Sequence, residues 1–543
     1  MTATPAGRTA LFPIGPTDPL AFGAGSPERE RVAAALKEIR SADFDVANVI
    51  DGREVRTGRT APTVTPHEHA YSFGQVHHAG PAEMASAIEA ATCASAWWGS
   101  LPWEERAAPF LRAADMLEYG PWRDRLNAAT MLELSKTTYQ ADIDAACETV
   151  DFIRANVKNM LDMYDVQPGS NPGAWNRVEY RPLEGFVFAV TPFNFTCMNN
   201  LAFGPALLGN TVVWKPAESA SLVAHLSLQL LREAGLPDGV INVVYGTGPD
   251  LGPTALAHRD LAAVHFTGST TTFQNIWRTV GENVAGYRNY PRVVGETGGK
   301  DFILAHPSAD VEALAVACVR GAYEFQGQKC SAASRLYAPR SLWPALKERL
   351  VALTESVAVG DPTRPETYVG AVINARQHAK HAEALAQARA EGLVVVGGNT
   401  DDSVGWFVDP TILEVDDPHS PFLTEELFAP VLTTFVYDDA KWPEILELVD
   451  NSTPYGLTGA VFAQDRAAVE QADAALRYTA GNFYVNDKPT GSVVGHQPFG
   501  GARASGTNDK AGTVWNLIRF ASPRTTKENH LPATDYRYPH MDA

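Results

Sequence analysis

Apolar residues in the first third of the chain recur at helical spacing. Over residues 32–39 they follow Ser26-Pro27-Glu28, which places a capping serine, a first-turn proline and an early acid ahead of the periodic stretch. Further helices are predicted at about 81–98, 103–119 and 136–164, the last with Ile143, Val150, Ile153 and Val157 near one face. From Asn176 the pattern changes. Short apolar runs at 185–190, 211–214, 240–245, 262–266 and 292–294 read as strands and alternate with helical stretches such as 220–233 and 270–284. Strands spaced by helices predict βαβ units in a parallel, doubly wound sheet, which binds ligands beyond the carboxyl ends of its strands. A second α/β series follows, with helix 311–325, strand 334–337, helices 342–357 and 375–391, and strand 393–396. The polar tail from Ser522, carrying Tyr536 and Tyr538, fits either a disordered end or one docked on a partner subunit.

Composition narrows the class. A chain of 543 residues is too long for one core and predicts two or three domains. Its 45% hydrophobic and 20% charged content is that of a globular protein, and its net charge of −19 argues against nucleic acid and anionic membranes as partners. No apolar run approaches the length of a membrane span. The five cysteines are odd in number and lack a Cys-x-x-Cys pair, so neither a disulfide framework nor a bound metal is expected. The first twenty residues carry one Arg and four prolines, unlike a secretory or transit leader, and a cytoplasmic location is expected.

The candidate chemistry centres on Cys330, in Gly327-Gln328-Lys329-Cys330-Ser331-Ala332, with a carboxylate upstream at Glu296 in Glu296-Thr297-Gly298-Gly299-Lys300. A thiolate is the strongest nucleophile a protein offers near neutral pH, and a carboxylate within reach supplies a base for hydrolysing a thiol-bound intermediate. To ionise, the thiol needs electropositive surroundings. Asn194 follows a strand, where its amide suits either an oxyanion donor or an Asx-turn. Gly268-Ser269 sits between a strand and a helix, as at a pyrophosphate site or at any common strand–turn–helix junction. Lys215 with Glu218 fits the hydroxyls of a ribose or a solvated surface pair. Glu425-Glu426-Leu427-Phe428 reads as a helix-end acid cluster, and the Gly-rich stretch 491–506 as a surface loop or a backbone nest for a carboxylate.

The order of these motifs resembles that of the aldehyde dehydrogenase superfamily, including the 330 − 296 = 34 residue interval between Glu296 and Cys330. The runs 327–332, 455–462, 480–488 and 498–510 are similar to those of its Δ1-pyrroline-5-carboxylate dehydrogenase branch, and the likeness extends from about Leu20 almost to the C-terminus. The resemblance implies an α/β fold with a Rossmann-type NAD domain (1–175 and 184–297), an α/β catalytic domain (298–486) and a small β oligomerisation flap (176–183 and 515–543). It further implies a homodimer, with higher homo-oligomers left open. The implied activity is NAD-dependent oxidation of L-glutamate γ-semialdehyde to L-glutamate in proline catabolism. Cys330 would be the nucleophile, Glu296 the base and Asn194 an oxyanion donor. Lys215, Glu218, Gly268, Ser269, Glu426 and Phe428 would bind NAD. Ser331, Gly491 and Ser492 would hold the substrate carboxylate, with Phe195, Phe499 and Glu148 lining the pocket.

Two positions depart from the family pattern. Ala429 stands where the Glu-Glu-x-Phe-Gly-Pro motif has Gly, which matters only if that position needs positive φ. Cys197 lies three residues after Asn194, as a small buried hydrophobe or an oxidisable neighbour of the site. Two other readings are an aldehyde dehydrogenase for succinic semialdehyde and a scaffold that kept the fold without the chemistry; intact Cys330, Glu296 and Asn194 speak against the scaffold.

Overall fold

The computed structural model describes residues 15–541. The leader expectation rests largely on residues 1–14, which lie outside the described residues. Two seven-stranded sheets organise the molecule. The first runs Arg292–Glu296, Leu261–Thr267, Phe186–Thr191, Thr211–Pro216, Ile241–Val243, Asn48–Ile50, Arg53–Val55 from edge to edge. Its first five strands are parallel, as the alternation of strands and helices predicts, and are buried on both faces by helices. The register aligns Lys215, Val190, Phe266 and Gly295 in one row, so Asn194, Lys215, Gly268 and Glu296 all emerge at the carboxyl edge.

The second sheet is ordered Val394–Val396, Thr411–Val415, Val431–Tyr437, Ala333–Pro339, Asp301–Ala305, Thr458–Phe462, Asn482–Val485. Only Val394–Val396 is antiparallel to its neighbour. Its Asp301 strand begins five residues after Glu296 ends the first sheet, and Cys330 precedes the Ala333 strand. The carboxyl edge of one sheet and the amino edge of the other thus frame a single site. Ala174–Pro182 and Ala521–Asn529 pair antiparallel over their whole length, Pro182 with Ala521 through Ala174 with Asn529. Ala521–Asn529, the first part of the expected tail, is therefore a strand paired within its own chain.

Three local expectations need correction. The N-terminal third is not only helical: five strands lie between Phe44 and His77, and the helix Trp122–Leu134 adds to those expected. Two of these strands have three residues each and close the first sheet by antiparallel pairing, too short to show a periodicity. The expected helix at 136–164 starts at Thr138 and is interrupted by a π-helical segment, Asp142–Glu148, before Thr149–Tyr164. That segment buries Asp142 and Asp144, each held by a cation: Arg123 Nε lies 2.7 Å from Asp142, and Lys136 Nζ 2.7 Å from Asp144. The helix expected to reach residue 325 ends at Tyr323. Phe325, Gln326 and Gly327 then adopt left-handed backbone (φ 53°, 58° and 66°) and reverse the chain toward Cys330. No helix among the described residues is long and apolar enough to cross a membrane.

Candidate active site

The nucleophile loop is held by buried glutamines that the sequence reading did not single out. Gln326 Nε2 donates to the carbonyls of Ser135 (3.0 Å) and Ala371 (2.8 Å), and its Oε1 accepts from Gly370 N (3.0 Å). Gln328 Oε1 accepts from Ile373 N at 2.9 Å. These bonds fix two left-handed, non-glycine residues at a cost of about 1–2 kcal/mol each. Gly327 is required outright, because a Cβ there would lie 2.2 Å from the Ala429 carbonyl oxygen. The two glutamines flanking Gly327 in Phe325-Gln326-Gly327-Gln328 are the one signal of this device in the sequence.

A cavity of about 1090 Å³ opens beside this loop. It brings together Cys330, Ser331, Glu296, Asn194, Phe195, Glu148, Gly491, Ser492 and Phe499, every residue assigned to catalysis or substrate. Burial pushes the Cys330 thiol well above its ordinary range, and the carboxylates of Asp301, Glu426 and Glu296 add to it. The electropositive surroundings that ionisation needs are therefore not supplied by the folded chain alone, and in the free protein the thiol holds its proton. Its own backbone N–H pulls the other way, toward ionisation. Asn194 Nδ2 donates to the Gln328 carbonyl at 3.1 Å, which sets the amide against the nucleophile loop with its second hydrogen still to place. Glu296 is pushed up to about 8 by burial, against the opposing pull of the Gly501 N–H, which donates to Oε2 at 2.9 Å.

The floor of the cavity is a buried polar cluster. The ammonium of Lys136 lies 4.4 Å from the ring centres of both Phe195 and Phe325, so its pair with Asp144 orients the two aromatics by cation–π contact. Asp144 also accepts from the backbone N–H groups of Thr196 (2.9 Å) and Cys197 (3.0 Å), which fixes the turn that carries Asn194 and Phe195. Cys197 is a buried thiol that donates to Glu148 Oε2 at 3.1 Å. Burial raises Glu148 to about 7, with Asp144 adding to the effect.

The residues expected to hold a dinucleotide do not line this cavity and lie along the sheet edge beside it. Lys215 is buried, which lowers its ammonium below the usual range, and it donates only to the Pro216 carbonyl at 3.2 Å. Glu218 has a half-exposed carboxylate. Ser269 caps the helix Thr270–Glu282, its Oγ accepting from Thr272 N, and Gly268 leaves the backbone bare ahead of that positive helix end. Glu426 Oε1 accepts from Gly299 N at 3.0 Å, and a Cβ on Gly298 would lie 2.3 Å from Oε2, so Gly298 makes room for that carboxylate. Phe428 carries the left-handed φ of its motif (62°) and packs edge-on to Phe193 at 6.0 Å. Ala429 is not among the positive-φ residues, so its methyl is accommodated without backbone strain. A buried cation on the Pro216 carbonyl, two carboxylates and a capped helix N-terminus together form a set of groups that fits a dinucleotide.

The aldehyde dehydrogenase family model matches residues 54–526. The chain belongs to the aldehyde dehydrogenase family. The expected likeness to its Δ1-pyrroline-5-carboxylate dehydrogenase branch holds. The protein of that name from Mus musculus is 47% identical over 526 residues, 96% of this aldehyde dehydrogenase and 93% of the mouse chain. The Homo sapiens protein is 46% identical with the same coverage. Among solved structures, the Δ-pyrroline-5-carboxylate dehydrogenase of Mycobacterium tuberculosis matches with a TM-score of 0.95 and 48% identity, covering 99% of this chain and 100% of its own. A second structure of that protein is described as bound with NAD. The cytoplasmic expectation does not stand against these relatives, since the mouse, bovine and human proteins are named mitochondrial.

Proposed function

We propose that this aldehyde dehydrogenase oxidises L-glutamate γ-semialdehyde, the opened form of Δ1-pyrroline-5-carboxylate, to L-glutamate with NAD. The observation that carries the reading is the convergence of Cys330, Glu296, Asn194 and the Ser331–Gly491–Ser492 anchor on one cavity. The Cys330 thiol releases its proton to solvent as its sulfur bonds to the aldehyde carbon, and the oxyanion of the resulting thiohemiacetal is held by the Asn194 amide and the Cys330 backbone N–H. When bound, NAD supplies the hydride acceptor that turns this adduct into a thioester, together with a cationic ring. Lys215, Glu218, Gly268, Ser269, Glu426 and Phe428 would hold it. The half-exposed Glu218 carboxylate favours NAD over a cofactor carrying a 2′-phosphate. Glu296 takes a proton from the water that attacks the thioester, which frees glutamate and the thiol.

Residues 1–175 and 184–297 then serve as the NAD domain and 298–486 as the catalytic domain, with 176–183 and 515–543 pairing subunits. Exposed Trp175, Leu531 and Tyr536 on and beside the paired flap strands support a homodimer through that flap. NADH formation over a panel of aldehydes tests the assignment: glutamate semialdehyde should be the best substrate, and faster turnover of succinic semialdehyde would overturn it.

A further inference from the structure

The anchor loop carries a cation for which neither catalysis nor cofactor binding has a use. Lys488 lies on the cavity wall, and its Nζ donates to the Thr490 carbonyl at 2.8 Å. The Thr490 hydroxyl meets Ser331 Oγ at 2.8 Å, which ties Lys488 through Thr490 to the residue after the nucleophile. Gly491, the next residue of the loop, has a φ of 84°, and a Cβ there would lie 2.6 Å from Lys488 Nζ. The ammonium therefore sits directly over the bare backbone of the anchor.

This cation is not neutralised. The nearest carboxylate in the cavity wall, Glu324, is already paired with Lys329 (3.0 Å) and with Arg320 (3.1 Å). Lys329, Lys488 and Arg320 together outweigh the effect of burial and hold Glu324 below its ordinary range. Lys488 has no ion pair within 4.0 Å among the described residues, and the carboxylates of Glu324 and, more weakly, Asp487 act on it only at longer range. Three cations thus face one carboxylate in a protein whose net charge is −19. Burial also pulls the Lys488 ammonium below its ordinary range, as expected of a charge lacking its counterion.

We propose that Lys488 is the specificity charge of this enzyme, attracting and orienting the α-carboxylate of an amino-acid semialdehyde over the Gly491–Ser492 backbone and so discriminating against neutral aldehydes of equal length. The inference rests on the proposed function and adds the group that selects the substrate. An incoming carboxylate supplies the missing negative charge, while the backbone N–H groups and Ser331 fix its orientation.

The test compares kcat/KM for glutamate semialdehyde with that for pentanal in the wild type, Lys488→Met and Lys488→Arg, with NAD affinity as a check of folding. In Lys488→Met the ratio should fall on the order of tenfold, through the KM of the semialdehyde rather than its kcat, as for a partly screened charge-assisted contact. Lys488→Arg should restore most of that loss. Equal losses on both aldehydes would mean that Lys488 only holds the Thr490–Ser331 loop, and an unchanged ratio would mean that it does nothing for selection; either overturns the proposal. A wild type that fails to oxidise the semialdehyde overturns the proposed function and this inference together. A wild type that prefers it, with the ratio unchanged in Lys488→Met, overturns this inference alone.

Discussion

Protonation of Glu296 should set the pH dependence of thioester hydrolysis. With the carboxyl pushed up to about 8, roughly one molecule in ten carries the carboxylate at pH 7, and drawing the rest into the ionised form costs about 1.4 kcal/mol. The rate of deacylation should climb close to tenfold per pH unit between 6 and 7, bend near 8 and level off above it. Acylation of Cys330 by p-nitrophenyl acetate isolates this step without cofactor: the burst reports the thiol, and the steady phase reports hydrolysis of the acyl-enzyme. Glu296→Gln should keep the burst, lower the steady phase by about 10²–10⁴-fold and accumulate an acyl-enzyme visible by mass spectrometry. The same group fixes a sign for stability. Its folded value lies above the ordinary 4.5, so the stabilisation it contributes is complete below about 4.5 and is lost as pH rises through about 8. Denaturant midpoints should therefore fall across that window, and less steeply in Glu296→Gln. A deacylation rate flat from pH 6 to 8.5, or normal turnover by Glu296→Gln, would show that the base lies elsewhere.

Cys330→Ala should abolish dehydrogenation while retaining NAD affinity, measured by fluorescence titration. Alkylation of the free enzyme by iodoacetamide should accelerate from pH 7 to 9 without a plateau, because burial and three carboxylates keep the thiol protonated. Asn194→Ala should lower kcat by about 10²–10³-fold with little change in KM, the size expected for one oxyanion donor. Gly327→Ala should lower both melting temperature and activity, since its methyl would meet the Ala429 carbonyl on left-handed backbone; thermal unfolding and NADH formation read the two effects.

The parallel core was legible in the sequence because strands buried on both faces read as unbroken apolar runs. Phe186–Thr191 and Thr211–Pro216 are buried almost throughout, and their helices carry the usual stripe. The three-residue strands Phe44–Val46 and Arg53–Val55 were not legible, for three residues with mixed exposure carry no period. Nor does a helical pattern reveal the π-helical segment at Asp142–Glu148. Its buried acids are explained by Arg123 and Lys136, partners brought by the fold rather than by helical spacing. At the Glu426 motif the sequence raised the right question about Ala429, and only the backbone shows that the left-handed position is Phe428.

The order of chemical groups along the chain was legible, but their electrostatics were not, and the difference has a physical cause. Identity and spacing are local properties, whereas a field sums charges that folding collects from distant segments. Lys329 stands next to Cys330 in the sequence, but its charge is not left for the thiol. Folding pairs Lys329 with Glu324 and brings Asp301, Glu426 and Glu296 to bear on the thiol. Lys488 shows the converse, since its neighbour in sequence is Asp487, yet its ammonium is unpaired over the anchor. The cavity is thus polarised, with acids around the nucleophile and one cation without an ion pair, Lys488, at the anchor. A substrate with an anionic tail and a neutral aldehyde head is drawn in tail first, and its aldehyde is left facing Cys330.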